Sequence, residues 1–292
     1  MDNADHAPDA AAPTAEAAEA IEANETADAT EPTDAAQAAE ASGTPPRTPI
    51  QEWWEMGKSV IIALLIALVI RTILFQPFTI PSGSMEPTVM PGDYVIIDKY
   101  AYGYSRFSLP IALPLFHGRL FDRVPHRGDI IVFKLPRDNH IDYIKRLIGL
   151  PGDQIQVTRG VVYVNGKALP RQEMSPGVET GPFGLTHPVQ RFQETLPSGK
   201  SYVTNSYGPD GDADNTGVYV VPAKSYFFMG DNRDNSADSR FPESVGVGYV
   251  PEENLVGRAS FVLLSWNDKA SIFKPWTWFL DLRPSRFFHG LQ

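Results

Sequence analysis

The longest apolar segment of the chain lies near its N-terminal third. Residues 60–75 are almost continuously apolar, and Arg71 is the only charged residue among them. As an α-helix, this run would rise about 24 Å, or about 30 Å if it extends to Ile80. Trp and Phe residues, which favour the membrane interface, flank it on both sides. The pattern predicts a transmembrane anchor, to which we assign residues 53–77.

Two other interpretations of this apolar run stay open from the pattern alone, namely a buried core helix and a cleaved signal peptide. The long segment before the run and the absence of an Ala-x-Ala site argue against a signal peptide. Arg47 and Lys58 precede the run, whereas Arg71 lies towards its other end. The distribution of basic residues therefore indicates only weakly that the N-terminus is cytoplasmic.

From residue 78 onward, short apolar runs alternate with turn residues, a pattern typical of a β-rich fold. Three of the runs begin after a Gly-Asp pair, which predicts a turn that leads into a strand. These pairs are Gly92-Asp93, Gly128-Asp129 and Gly152-Asp153. Asn165-Gly166 separates two further short runs and predicts a hairpin with a type I′ turn.

The second half of the chain contains fewer clear strand signals. We expect strands at Val218–Val221, Tyr226–Met229 and Arg258–Leu264. Residues 170–217 are polar and rich in Gly and Pro, so we expect loops there.

Composition separates an N-terminal tail from the rest. Residues 1–46 contain 11 acidic residues, no Lys or Arg and no aromatic residue, and such a segment cannot bury enough apolar area to fold. We expect residues 1–52 to form a disordered acidic tail, and a transient helix around residues 11–23 is the alternative. The remaining 24 acidic residues are balanced by all 25 Lys and Arg, and no basic stripe indicates nucleic-acid binding. The chain has no cysteine, which excludes thiolate nucleophiles and disulfides.

A serine-containing turn follows the apolar run and is the first candidate for chemistry. Pro81 and Pro87 restrict the backbone around Ser82 and Ser84, so that one serine could attack a substrate while the other donates a hydrogen bond. An ordinary turn rich in Pro, Gly and Ser is the alternative.

A serine nucleophile needs a base, and Lys145 is the second candidate. Strand alternation would place it on one face with Ile141 and Tyr143. Burial would lower the pKa of the lysine and allow its neutral amine to accept a proton. The alternative is an edge-strand lysine that faces water.

The third candidate is the dense polar segment 229–240, which contains Ser236. It could be a solvated loop or an ion site, although no Glu closes the pattern of a calcium loop. Asp238 and Arg240 could pair and fix its conformation.

Taken together and in this order, these segments resemble the bacterial type I signal peptidase family of Ser/Lys proteases. The segments that carry the resemblance are 81–88, 92–93, 128–133, 143–153 and 230–240. The resemblance covers about residues 53–290. It implies a membrane-bound serine endopeptidase that removes signal peptides from exported preproteins through an acyl-enzyme.

The resemblance also assigns roles to individual residues. Ser84 is the expected nucleophile, Lys145 the general base, Ser82 an oxyanion-hole donor beside the Ser84 N–H, and Ser236 the group that orients the lysine. The residues expected to line the substrate cleft are Phe78, Ile80, Met85, Tyr143 and Ile144. The residues expected to be structural are Asp231, Arg233, Asp238 and Arg240. No metal or organic cofactor is expected.

The family further implies a mostly β fold. A catalytic β core would comprise residues 78–153 and 223–292, and a smaller inserted β/loop domain would comprise residues 154–222. Expected partners are signal peptides and the lipid bilayer, with the catalytic part on the periplasmic face of the inner membrane. An inactive membrane-tethered binding module and another self-processing Ser/Lys protease are the alternatives. The single span and the acidic tail depart from the best-known Gram-negative relatives, which have two spans.

Overall fold

A computed structural model of the chain describes residues 49–108, 118–180, 186–267 and 277–291. Within these ranges the fold is mostly β, as expected, with one long N-terminal helix. The predicted disorder of the acidic tail concerns residues that lie almost entirely outside the described ranges.

Helix α1 spans Pro49–Ile73. The anchor was predicted at residues 53–77, so the helix begins and ends four residues earlier than predicted. It stops there because residues from Phe75 onward form a strand that pairs with the strand Asp93–Asp98. Trp53–Ile73 is long and apolar enough to cross a membrane, and its apolar side chains are exposed. An exposed helix that is apolar around its whole circumference suits a lipid environment better than a protein core. The helix therefore does not fit the alternative of a buried core helix.

The main sheet is antiparallel and has the strand order β1-β2-β15-β3-β4-β13-β14, with β16 also paired to β15. Its strands are β1 Phe75–Thr79, β2 Asp93–Asp98, β3 Ile130–Leu135, β4 Asp138–Gly149, β13 Ser225–Met229, β14 Val250–Pro251, β15 Leu255–Ser265 and β16 His289–Gly290. A short helix, α2, spans Thr277–Leu280.

Two smaller antiparallel sheets are formed by the strands between Gln154 and Val220. One has the order β12-β5-β6-β7, and in the other β10 pairs with β8, β9 and β11. Their strands are β5 Gln154–Thr158, β6 Val161–Val164, β7 Lys167–Ala168, β8 Arg171–Glu173, β9 Gly177–Thr180, β10 Thr186–Thr195, β11 Ser201–Ser206 and β12 Tyr219–Val220. The division into a catalytic core and an inserted domain at 154–222 stays a prediction.

Strand β3 shows how the main sheet is buried on both faces. Ile130 and Val132 pack into one hydrophobic cluster, whereas Ile131 and Phe133 pack into another. Successive side chains of a strand point to opposite faces, so a strand covered on both sides needs a continuous apolar run. This requirement explains why residues 130–133 are apolar without interruption.

The three Gly-Asp turns predicted from the sequence are confirmed. Gly92, Gly128 and Gly152 have φ values of 84°, 95° and 88°, which only glycine adopts without strain. In each turn the Asp N–H donates to the carbonyl three residues earlier, and the Asp carboxylate accepts the N–H of that same residue. The glycine therefore makes the turn, and the aspartate caps it before the strand begins.

The Asn-Gly hairpin is also confirmed. Asn165 and Gly166 both have positive φ, 53° and 75°, as a type I′ turn requires, and they join β6 to β7. The other expected strands correspond to β12, β13 and β15, within three residues at each end.

The expectation of loops at residues 170–217 was wrong, because β8, β9, β10 and β11 lie there. These strands bury polar residues in places where an apolar residue would have signalled a strand. Glu194 of β10 is 1% exposed, and its carboxylate accepts hydrogen bonds from Arg233 at 2.7 and 2.5 Å and from Tyr202 at 3.0 Å. A buried acid whose partner is distant in sequence cannot be recognised from local alternation.

We predict that Glu194→Ala lowers the free energy of unfolding by about 3–5 kcal/mol, because it leaves the buried Arg233 guanidinium without its carboxylate. Chemical denaturation of the detergent-solubilised protein would measure this change. Glu173→Ala is a matched control, since Glu173 is exposed on the neighbouring strand β8. Equal stability of both variants would contradict a structural role for the Glu194–Arg233 pair.

Candidate active site

Ser84 lies on a short turn between β1 and β2. A 3-10 helix at Gly83–Met85 forms this turn, and backbone hydrogen bonds from Ile80 to the Asp93 carbonyl and from Gly92 to the Ile80 carbonyl hold its base. Ser84 itself is only 8% exposed. The serine is therefore fixed by the sheet rather than carried on a free loop.

Lys145 reaches Ser84 from strand β4. Its Nζ donates a hydrogen bond of 2.5 Å to Ser84 Oγ, across 61 residues of sequence. Ile141, Tyr143 and Lys145, which alternation would place on one face, line the same cleft, but so do Asp142 and Ile144 between them. Lys145 is 3% exposed, so it is not an edge-strand lysine that faces water.

Burial lowers the pKa of Lys145 from 10.5 to about 8. Desolvation of the ammonium is the largest cause, and nearby Arg240 lowers the pKa further, whereas Asp238 and Asp231 act in the opposite direction. A substantial fraction of the side chain is thus neutral near physiological pH and able to accept a proton.

Two further serine hydroxyls lie at this cleft. Ser82 Oγ is 3.5 Å from Ser84 Oγ. Ser236 Oγ is buried and has no hydrogen-bond partner among the described residues. A Cβ atom at Gly230 would lie 2.2 Å from Ser236 Oγ and 2.5 Å from the Ser84 carbonyl oxygen, so glycine is needed to let this serine approach the turn.

The polar segment 229–240 is an ordered loop that holds the serine turn. Asn232 donates its backbone N–H to the Ser84 carbonyl at 3.2 Å and its side-chain amide to the Gly83 carbonyl at 3.0 Å. The expected pairing of Asp238 with Arg240 is present, at 2.8 and 2.9 Å, and Asp238 also accepts the Gly230 N–H. The loop is therefore not a solvated surface segment, since buried ion pairs fix it.

Sequence reasoning did not identify Arg146 as part of this assembly. Arg146 is fully buried, and its guanidinium donates to both carboxylate oxygens of Asp231 at 2.8 and 2.7 Å. Thr88 Oγ1 donates to the same carboxylate at 2.5 Å. Asp231 thus ties β4 and the end of the serine turn to the loop. The only signal in the sequence was an arginine adjacent to Lys145, directly before the apolar residues Leu147 and Ile148.

The cleft has a volume of about 750 Å³ and is mainly apolar, with the Ser84–Lys145 pair in its wall. Of the expected substrate-contacting residues, Phe78, Tyr143 and Ile144 line it. Ile80 and Met85 are 1% and 0% exposed and belong to the hydrophobic core rather than to this lining. We therefore do not assign direct substrate contacts to Ile80 and Met85.

The chain is similar in sequence to known proteins. A family model described as "Signal peptidase, peptidase S26" matches residues 53–266. Signal peptidase I of Rickettsia typhi (strain ATCC VR-144 / Wilmington) is 43% identical over 252 residues, which are 80% of this chain and 92% of that protein. Signal peptidase I of Rickettsia akari (strain Hartford) is 41% identical over 264 residues, which are 84% and 94% of the two chains.

A crystal structure of a signal peptidase I from Enterococcus faecalis V583 is 26% identical and covers 47% of this chain and 98% of that chain. The TM-score of that match is 0.28. The match to the family model and the identity with the Rickettsia proteins place the chain in the signal peptidase family, peptidase S26. With its apolar N-terminal helix, it is a membrane protein.

The lowered pKa of Lys145 predicts a measurable effect on stability. Because the pKa falls on folding, the buried ammonium destabilises the folded state by about 3 kcal/mol below pH 8, where the lysine is charged in both states. Between pH 8 and 10.5 the unfolded state binds more protons, so the wild type gains stability as the pH rises.

We expect Lys145→Met to be more stable than the wild type at pH 7 and this difference to shrink as the pH rises from 8 to 10.5. Denaturation of both proteins at a series of pH values would measure the difference. A difference that does not depend on pH would contradict the lowered pKa.

Proposed function

We propose that this chain is a membrane-bound serine endopeptidase that removes N-terminal signal peptides from exported preproteins, with Ser84 as nucleophile and Lys145 as general base. The observation that carries the proposal is the 2.5 Å hydrogen bond between Lys145 Nζ and Ser84 Oγ in a mainly apolar cleft. A nucleophile and a base within hydrogen-bond reach are the minimum requirement for acyl transfer.

In the first half of the reaction, neutral Lys145 accepts the Ser84 proton as Oγ attacks the scissile carbonyl carbon. The resulting ammonium then donates this proton to the leaving nitrogen as the C–N bond breaks, which releases the mature protein and leaves an acyl-enzyme on Ser84. In the second half, Lys145 accepts a proton from water as the water oxygen attacks the ester. The proton returns to Ser84 when the signal peptide leaves.

The oxyanion that forms in each half would be stabilised by the Ser82 hydroxyl and the Ser84 N–H. Ser82 Oγ lies 3.5 Å from Ser84 Oγ, close enough to face an oxygen that develops on the attacked carbon. A preorganised donor of this type contributes about 3 to 4 kcal/mol to transition-state stabilisation.

We assign to Ser236 the role of orienting Lys145. Its buried hydroxyl has no partner among the described residues, and it lies in the same cleft wall as the lysine. Asp231, Arg233, Asp238 and Arg240 are structural in this scheme, because each forms a buried ion pair that fixes the loop.

The substrate would bind in an extended conformation along free strand edges. Strand β1 is at the edge of the main sheet, and β13 pairs with β4 only at Arg146–Gly149, beyond the part of β4 that lines the cleft. Backbone hydrogen bonds to such edges favour an added strand. Phe78, Tyr143 and Ile144 would then contact the small side chains of an Ala-x-Ala-type site.

The proposed topology is a single pass through the bacterial inner membrane, with the N-terminal tail in the cytoplasm and the catalytic part on the periplasmic face. Anchoring the enzyme and its substrate in the same bilayer raises their effective concentration.

We expect the detergent-solubilised wild type to cleave a standard preprotein after an Ala-x-Ala-type site and Ser84→Ala to leave it intact, with mass spectrometry to identify the products. Lys145→Ala is also expected to be inactive. Equal cleavage by the wild type and Ser84→Ala would exclude Ser84 as the nucleophile. Absence of cleavage by all three proteins would favour a binding module of the same fold.

The general-base role of Lys145 predicts a pH profile. Since only the neutral amine accepts the Ser84 proton, kcat/KM should rise through about pH 8 and level off above it. Initial rates with a preprotein or peptide substrate at a series of pH values would measure the profile. A flat profile across this range would contradict the assignment.

A further inference from the structure

Glu179 is a buried acid that the proposed mechanism does not use. It lies on β9, is 3% exposed, and differs from Asp231, Glu194 and Asp238, three buried acids that hold the loop at 230–240. Those acids each pair with a buried arginine, in the pairs Asp231–Arg146, Glu194–Arg233 and Asp238–Arg240. In the part of the chain that the structure describes, no basic side chain forms an ion pair with Glu179. Burying a carboxylate without a cation is costly, which indicates a purpose beyond packing.

Two neutral side chains donate hydrogen bonds to this carboxylate. Tyr207 Oη donates to Glu179 Oε2 at 2.9 Å, and Asn235 Nδ2 donates to Oε1 at 2.8 Å. Burial and the hydrogen bond to Glu179 both raise the pKa of Tyr207, so the phenol stays protonated and remains a donor. Glu179 and Tyr207 come from the region of the small sheets, whereas Asn235 belongs to the loop at the cleft.

The same carboxylate also lies close to the serine turn. Its Oε1 lies 3.5 Å from the position that a Cβ atom would occupy on Gly83. Glu179 Oε1 therefore lies near Gly83, the residue between Ser82 and Ser84, although Glu86 Oε1 lies closer to the same position, at 3.0 Å. Glu179 also accepts a hydrogen bond from Asn235, which directly precedes Ser236.

We propose that Glu179 is a positioning residue that holds Asn235, and with it the Ser236 hydroxyl, against the turn at Ser82–Ser84. This inference rests on the proposed function, because Glu179 would act by positioning the serines that the proposed mechanism uses. Glu179 would act through its two hydrogen bonds, so its geometry matters more than its charge. Displacing a supporting group by a fraction of an ångström is sufficient to reduce turnover without unfolding the enzyme.

The test compares variants that remove, keep or reverse these hydrogen bonds. Glu179→Ala is expected to lower kcat about tenfold with little change in KM. Glu179→Gln keeps an acceptor for Tyr207, and its amide N–H can donate to Asn235 Oδ1 once the Asn235 amide turns by about 180°, so this variant should retain most activity. Asn235→Asp places a second carboxylate against Glu179 and should also lower kcat about tenfold. Adding Glu179→Gln to Asn235→Asp lets the new amide donate to the new carboxylate and should bring kcat to within about threefold of the wild type.

Two readouts separate positioning from folding. Titration with a serine-acylating probe gives the number of functional sites, so that kcat is expressed per active molecule, and thermal denaturation reports stability. Asn235 is exposed, which makes Asn235→Asp informative even if Glu179→Ala folds poorly. Glu173→Ala, an exposed acid on β8, is the matched control and should leave kcat unchanged.

Ser84→Ala, measured in the same series, separates the two proposals. If Ser84→Ala is inactive while Glu179→Ala and Asn235→Asp turn over like the wild type per site, the positioning role is overturned and the proposed function stands. If the double variant is no better than Asn235→Asp alone, the hydrogen bond between these residues is not what matters, and the inference is also overturned. If Ser84→Ala is as active as the wild type, the proposed function itself fails.

Discussion

Burial of the Lys145 amine away from water is the constraint on which the rest of the site depends. A lysine in water would be charged and unable to accept a proton, and the buried position lowers its pKa to about 8. Asp231 and Asp238 lie near enough to oppose this effect, but each is engaged by its own arginine, Arg146 and Arg240. The acids therefore order the loop without restoring the ammonium, and burial remains the largest cause of the lowered pKa.

The serine turn is held from several directions at once. The backbone of the main sheet fixes its base. From the loop at 230–240, Asn232 donates hydrogen bonds to the Gly83 and Ser84 carbonyls. The loop in turn is tied to β4 through Asp231 and to β10 through the pair of Glu194 with Arg233. Such interlocking favours a preorganised site, because each group is positioned before a substrate arrives. Through the Glu194–Arg233 pair, the polar strands β8 to β11 also help to fix the geometry of the cleft.

Much of the site could be recognised from the sequence, but the long-range ion pairs and hydrogen bonds that hold it together could not. The lysine, the serine turn and the polar loop each had an ordinary alternative when taken alone, and only their order along the chain pointed to a Ser/Lys protease. Arg146, Glu179 and Glu194 escaped notice because their partners lie 85, 56 and 39 residues away. Ile80 and Met85 were expected at the cleft, but the turn places both side chains in the core.

The sequence by itself determined the local elements, since these depend on neighbouring residues: the apolar helix, the Gly-Asp turns that open strands and the Asn-Gly hairpin. The tertiary structure decided which polar residues are buried and with what partners. Residues 171–206 were mistaken for loops for this reason, because a buried Glu and an exposed Glu are identical in a sequence. Only the packing of distant strands supplies the arginine or the hydrogen-bond donors that make the buried one stable.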